Sequence, residues 1–98
     1  VNDEVTLDFS AKNKTTINLF PNPFKENFNL VIELSKTANI EGYILDMTGR
    51  VVQRAMLKSQ LPAGRHQFDI RLENIPSGVY YLQLAIAGQM QYRKVVKM

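Results

Sequence analysis

Among residue types that carry reaction chemistry, the 98-residue chain offers one histidine, nine carboxylates and no cysteine. His66 falls in register with Phe68 and Ile70. A zinc site needs three or four ligands, and a general base needs an oriented partner. One histidine without cysteine supplies neither, so His66 reads as a partly buried strand-edge residue. The missing cysteines exclude disulfides, thiolate nucleophiles and cysteine-held metal clusters. Ser77 beside Gly78 lacks the strand-to-helix context of a nucleophile elbow. Glu33, Glu41 and Asp46 could be paired as an acid and a base. Strand parity, however, puts Glu33 opposite its strand's apolar side, and Asp46 has a sufficient role in capping a turn. No glycine-rich phosphate loop occurs. Tyr80, Tyr81 and Tyr92 near Arg93 and Lys94 suggest base stacking on a basic sheet. Tyr80 keeps parity with Leu82 and Leu84, which assigns it to the core, and β-propensity accounts for Tyr81 and Tyr92. Asn13-Lys14-Thr15 matches a glycosylation sequon that arises readily by chance. The expectation is a domain that is not an enzyme, takes no metal or cofactor and binds no nucleic acid.

The elements around these residues are strands. Hydrophobic residues make up 45% of the chain and charged residues 21%, the proportions of a globular domain rather than a disordered segment. No apolar run approaches the roughly 20 residues of a spanning helix. The opening VNDEVTLDFS lacks the basic and apolar regions of a signal peptide. Any export signal of the parent protein is therefore expected upstream, and the chain reads as a piece. The net charge of +3 divides unevenly: residues 1–49 carry −3, and residues 50–98 carry +6. A basic second half suits an acidic partner, an anionic glycolipid or nucleic acid, although solvated outer strand faces look the same in sequence and are the favoured reading.

Period-2 alternation recurs between turn signals, and no segment has a helical period. Ile17 and Leu19 share one side of residues 16–20, which end at Pro21-Asn22-Pro23. Two prolines there remove ladder donors. Phe28, Leu30, Ile32 and Leu34 share a face of residues 28–34, and residues 36–39 then turn the chain. Residues 40–46 lead through Met47-Thr48-Gly49 into residues 51–57. Asp46 followed by Gly49 has the form of a type I turn closed by a left-handed residue, the strongest hairpin signal in the chain. After a connection over 58–64, residues 65–72 place His66, Phe68, Ile70 and Leu72 on one face. Asn74-Ile75-Pro76-Ser77-Gly78 breaks again, residues 79–87 follow, and Ala87-Gly88-Gln89 turns into residues 90–96. Seven such segments predict an all-β, Ig-like antiparallel β-sandwich of about seven strands. Residues 1–15, with Val5, Leu7 and Phe9 alternating before a polar stretch, read as a linker or edge strand from an upstream domain. Residues 16–98 form the domain.

The turn motifs carry a resemblance. Leu19-Phe20-Pro21-Asn22-Pro23 resembles the YPNP opening of type IX secretion C-terminal sorting domains, with Phe20 in place of the usual tyrosine. Asp46-Met47-Thr48-Gly49-Arg50-Val51-Val52 is similar to the family's D-x-x-G-[RK]-x-V hairpin, and Ile75 to Leu82, IPSGVYYL, to its L-x-x-G-x-Y turn. Lys94-Val95-Val96-Lys97 resembles the family's lysine-flanked ending. The four occur in the family's order over residues 17–98. The resemblance implies an address label on the C-terminus of a secreted Bacteroidota protein. Such a label passes through the periplasm, is read by the outer-membrane type IX translocon and is then commonly removed by a sortase-like peptidase. It further implies that Pro21, Asn22, Pro23, Asp46, Gly49, Arg50, Gly78, Tyr80, Lys94, Val95, Val96 and Lys97 are the residues read, and that a cargo domain lies upstream in the same polypeptide. Arg93 joins them by its charge, since the cations of the final strand are expected to meet an acidic surface. The alternative is an accessory carbohydrate-binding or fibronectin-like module. That would need exposed aromatics converging on one face; the chain has no tryptophan, and its aromatics are expected mostly on core faces or in the proline motif.

Overall fold

A computed structural model describes residues 15–98. The linker or edge-strand expectation for residues 1–15 and Asn13 of the sequon fall almost wholly outside the described residues. Seven strands follow one another: β1 (Thr15–Phe20), β2 (Asn27–Leu34), β3 (Ala38–Leu45), β4 (Val51–Leu61), β5 (Gly64–Arg71), β6 (Gly78–Ile86) and β7 (Gln89–Lys97). They form two antiparallel sheets, β1-β2-β5 and β4-β3-β6-β7, packed as a sandwich. No helix occurs among the described residues. The all-β sandwich read from alternation is therefore the fold.

The inner faces of β2 and β6 are the ones that parity assigned, and β3 adds residues to which no face had been given. Phe28, Leu30, Ile32 and Leu34 of β2, Ile40 and Ile44 of β3, and Tyr80, Leu82, Leu84 and Ile86 of β6 are all buried and join one core cluster. Side chains of this kind contribute about 1.5–3 kcal/mol each when fully removed from water. Partly buried Ile17, Leu19 and Phe68 pack on the cluster's margin.

Two boundaries differ from the sequence reading. The connection expected over residues 58–64 shrinks to residues 62–63, because β4 runs on to Leu61. Lys58, Ser59 and Gln60 break the alternation, yet Ile40 and Asn39 of β3 pair with Ser59 and Gln60 and hold them in the ladder. For the same reason Ala38 and Asn39, expected in a turn, belong to β3. Backbone pairing does not need an alternating side-chain pattern when a neighbouring strand supplies donors and acceptors.

Antiparallel connectivity puts alternate connections at opposite ends of the sandwich. One pole holds residues 21–26 between β1 and β2, residues 46–50 between β3 and β4, residues 72–77 between β5 and β6, and the end of β7. The other pole holds residues 35–37, 62–63 and the Ala87-Gly88 turn, where both residues have positive φ (52° and 81°), as a two-residue primed hairpin requires.

β3 passes closely between its neighbours at Gly42, where a Cβ would meet Leu84 Cδ2 at 3.0 Å and Met56 Cγ at 3.2 Å. The β3–β4 register also shifts on both sides of this residue. Gly42→Val is expected to destabilise the domain by about 1–3 kcal/mol through overpacking. Urea unfolding read by far-ultraviolet circular dichroism checks this; an unchanged midpoint would show that the strand pair can simply separate.

Candidate functional site

The sequence motifs meet at the first pole, and the proline motif closes on the last strand. Both the Phe20-Pro21 and Asn22-Pro23 peptide bonds are cis. Between them the Asn22 side chain acts as a substitute peptide group against the outer edge of β7. Its Nδ2 donates to the Lys94 carbonyl at 2.9 Å, and its Oδ1 accepts from the Val96 N–H at 3.0 Å. Phe24 continues the pairing in parallel with β7: its N–H donates to the Val96 carbonyl at 2.9 Å, and its carbonyl accepts from the Met98 N–H at 2.8 Å. The Phe24 ring is 1% exposed and meets Phe28 edge-on, with centroids 5.0 Å apart. Such an aromatic pair adds about 0.5–1.5 kcal/mol beyond its buried area.

Lys97 draws in a third segment. Its Nζ donates to the carbonyls of Leu72 (2.7 Å) and Ile75 (2.6 Å), and the Leu72 N–H donates to the Glu26 carbonyl at 2.9 Å. The Tyr80 hydroxyl donates to the Pro76 carbonyl four residues upstream, the tyrosine-corner arrangement of sandwich domains. Gly78 pairs with Lys97 and Tyr80 with buried Val95. Arg93 lies on the opposite face of β7 from Lys94, and its Nη1 donates to the Tyr92 carbonyl at 2.8 Å. A shallow cleft between Pro21, Pro23, Lys25 and Met98 opens beside this junction.

Asp46, Gly49 and Arg50 form a second cluster at the same pole, since Leu45 at the end of β3 pairs with Tyr81 near the start of β6. Asp46 Oδ1 accepts from the Thr48 hydroxyl (2.6 Å), the Thr48 N–H (2.9 Å) and the Arg50 N–H (3.0 Å). The Asp46 carbonyl accepts from the Gly49 N–H at 3.0 Å, and Gly49 sits at φ +90°, where a β-carbon is strained. The Arg50 guanidinium reaches Asp46 Oδ2 at 3.2 Å. The Thr48 hydroxyl foremost, then the Arg50 N–H, hold the Asp46 carboxyl down at about 2.

The residues weighed for catalysis lie apart. His66 Nε2 donates to the Pro62 carbonyl at 2.8 Å, near the far pole. Glu33 is on β2 of the three-stranded sheet, whereas Glu41 on β3 accepts from the Tyr43 hydroxyl at 3.3 Å. Ser77 leads into a strand. His66, Glu33, Glu41 and Ser77 thus stand on separate elements. Phe24 was missed by the sequence reading; its signal was a large apolar residue directly after the breaker with no alternating neighbours. Tyr43 was missed as well. It shares the outer face of the four-stranded sheet with Tyr81 and Tyr92, so three aromatics converge there, while Phe24, Phe28, Phe68 and Tyr80 lie on or against the core and Phe20 in the proline motif, as expected of most of them.

Comparison with known proteins adds two findings. The family model for the secretion system C-terminal sorting domain matches residues 18–98. No curated protein matches the sequence.

Asn22→Ala removes both side-chain bonds to β7 and is expected to cost about 1–3 kcal/mol, measured by thermal or urea unfolding. Asn22→Asp should cost at least as much at neutral pH, since a carboxylate oxygen would then face the Lys94 carbonyl. Wild-type stability in either variant would show that the loop does not hold the strand. For Asp46, the folded carboxyl lies below its ordinary value, so its stabilisation is complete above about pH 4 and is lost as pH falls through about 2. Thermal melts between pH 5 and pH 2 should show a shallower acid loss in Asp46→Asn than in wild type. Equal slopes would remove the turn from the account of acid stability.

Proposed function

The chain belongs to the type IX secretion system C-terminal sorting domains, and from that premise we propose that it carries its parent protein through the outer-membrane translocon and is afterwards cut away by a sortase-like peptidase. The family is a secretion-signal family rather than a catalytic one, and membership implies a cargo domain in the same chain and export to the cell surface or medium. The observation that carries the reading is the match over residues 18–98, which contains all four turn motifs.

In this proposal the cargo waits in the periplasm, and the translocon reads the first pole as a folded shape. Pro21, Asn22, Pro23, Gly78, Tyr80, Val95, Val96 and Lys97 build that shape, because most of their polar groups are used inside the junction. Asp46 and Gly49 hold the neighbouring turn, and Arg50, Arg93 and Lys94 supply charge around it. The bonds of Lys97 to Leu72 and Ile75 make its charge a poor probe of docking, since losing it also frees the 72–77 connection.

The test is a reporter with an export signal, followed by residues 1–98, in a type IX-competent host and in one lacking the translocon. The reporter should reach the surface or medium only in the first host and remain periplasmic when residues 94–98 are deleted. Intact-mass measurement of the mature product should find residues 17–98 removed, with the cut in or just before residues 1–15. A delivered product that keeps residues 17–98 would overturn the cleavage step; delivery without the translocon would overturn the transport reading.

A further inference from the structure

An exposed sheet face of a sandwich ordinarily alternates to polar residues. The four-stranded sheet departs from this on its outer side. One row across it runs Arg54, Tyr43, Gln83 and Tyr92, each opposite the next on β4, β3, β6 and β7. The next row toward the first pole runs Val51, Leu45, Tyr81 and Lys94. Val51 and Tyr92 are each more than half exposed (53% and 52%), as is Met90 (55%), whose sulfur lies 3.8 Å from Gln83 Nε2. Tyr43, Leu45 and Tyr81 are half-buried in the plane between them. The Gln83 amide also donates to the Tyr92 hydroxyl at 3.1 Å, and Glu41 is engaged by Tyr43, so the middle of the face presents rings and aliphatic carbon rather than open charge.

Glu41 is the carboxylate that shares this face, and at the two margins the charge is positive. Arg54 is exposed on β4 and Lys94 on β7. The ion pairs among the described residues are Arg50–Asp46, Arg71–Asp69 and Arg71–Glu73, which leaves both cations without a carboxylate partner there. An aromatic and Met-containing centre depleted of charge, with cations at the rim, is the anatomy of a protein–protein interface.

We propose that the outer face of the β4-β3-β6-β7 sheet is a docking surface for a folded protein partner with an acidic rim, a component of the export machinery. The proposal rests on the transport reading above and extends the recognised surface from the pole onto the sheet, with Lys94 common to both. The partner is not a second copy of this chain, because a self-complementary contact would set Arg54 and Lys94 against each other. The aliphatic side chains between the rings favour a protein over a sugar chain, which would stack on rings and need open hydrogen-bonding groups around them.

The test uses the full chain behind the exported reporter. Arg54→Glu with Lys94→Glu reverses the rim, and Tyr81→Thr with Tyr92→Thr removes the rings while keeping strand propensity. Lys36→Glu with Arg65→Glu makes the same change in net charge elsewhere on the domain. The rim variant, whose substitutions are at exposed positions, should keep a near-wild-type melt, and both face variants should be exported at least tenfold more slowly. The control should match wild type. Wild-type export rates in the rim variant, or an equal slowing in the control, overturn the docking surface while leaving the transport reading intact. So does a wild-type dimer in sedimentation velocity, or binding to phosphatidylglycerol vesicles or to an anionic polysaccharide, that the face variants lose. A wild-type chain that leaves the reporter inside the cell overturns the transport reading and this proposal with it.

Discussion

A strand at the end of a sheet presents unpaired N–H and C=O groups, and the fold must cover them or leave them open to another chain. β7 stands at such an edge, and its coverage is the interaction on which the first pole depends. The cover is assembled from one side-chain amide and one residue of backbone. Asn22 fits because its amide carries a donor and an acceptor side by side, as a peptide group does. The prolines that flank it have no N–H to leave unsatisfied. Phe24 then combines a backbone pair with a buried ring, so the same residue seals the edge and anchors the loop in the core.

Once that edge is closed, the neighbouring parts follow. Lys97 holds the crossing between the sheets through two carbonyls that would otherwise lack partners at the bend, and the Tyr80 hydroxyl takes a third. Segments more than seventy residues apart are thereby tied at one point. For an address label this arrangement has a consequence. A shape that exists only when β7 is paired reports that the domain has folded, something a linear motif does not report.

Residues suited to recognition thus divide by what their atoms already do. Asn22, Tyr80 and Lys97 spend their polar groups inside the molecule, and Val95 is wholly buried. Arg54 and Lys94 keep their exposed side chains toward solvent. The Asp46 turn lies between the two kinds: its carboxylate is satisfied locally, and its low proton affinity keeps that arrangement intact across ordinary pH. In the docking proposed above, a partner would meet shape at the pole and charge on the adjoining sheet.

What the sequence determined by itself was local and periodic. Alternation assigned the buried faces of β2 and β6 residue by residue, since side chains two apart point the same way in any strand. Asp46 and Gly49 revealed their turn because the conformation needs those residue types at that spacing. The order of four weak turn motifs was enough to suggest the family. Tertiary structure decided what each strand meets. Residues 58–60 became strand only because β3 lay alongside with free pairing groups. Phe24 was illegible because a single buried residue has no period. The gathering of Tyr43, Tyr81 and Tyr92 on one outer face depended on the register of three strands, two of them distant in sequence from the third. Period 2 tells which side chains share a face of their own strand, but not which strands lie beside it. That pairing is settled by long-range contacts whose closure entropy is met only when the whole sandwich assembles.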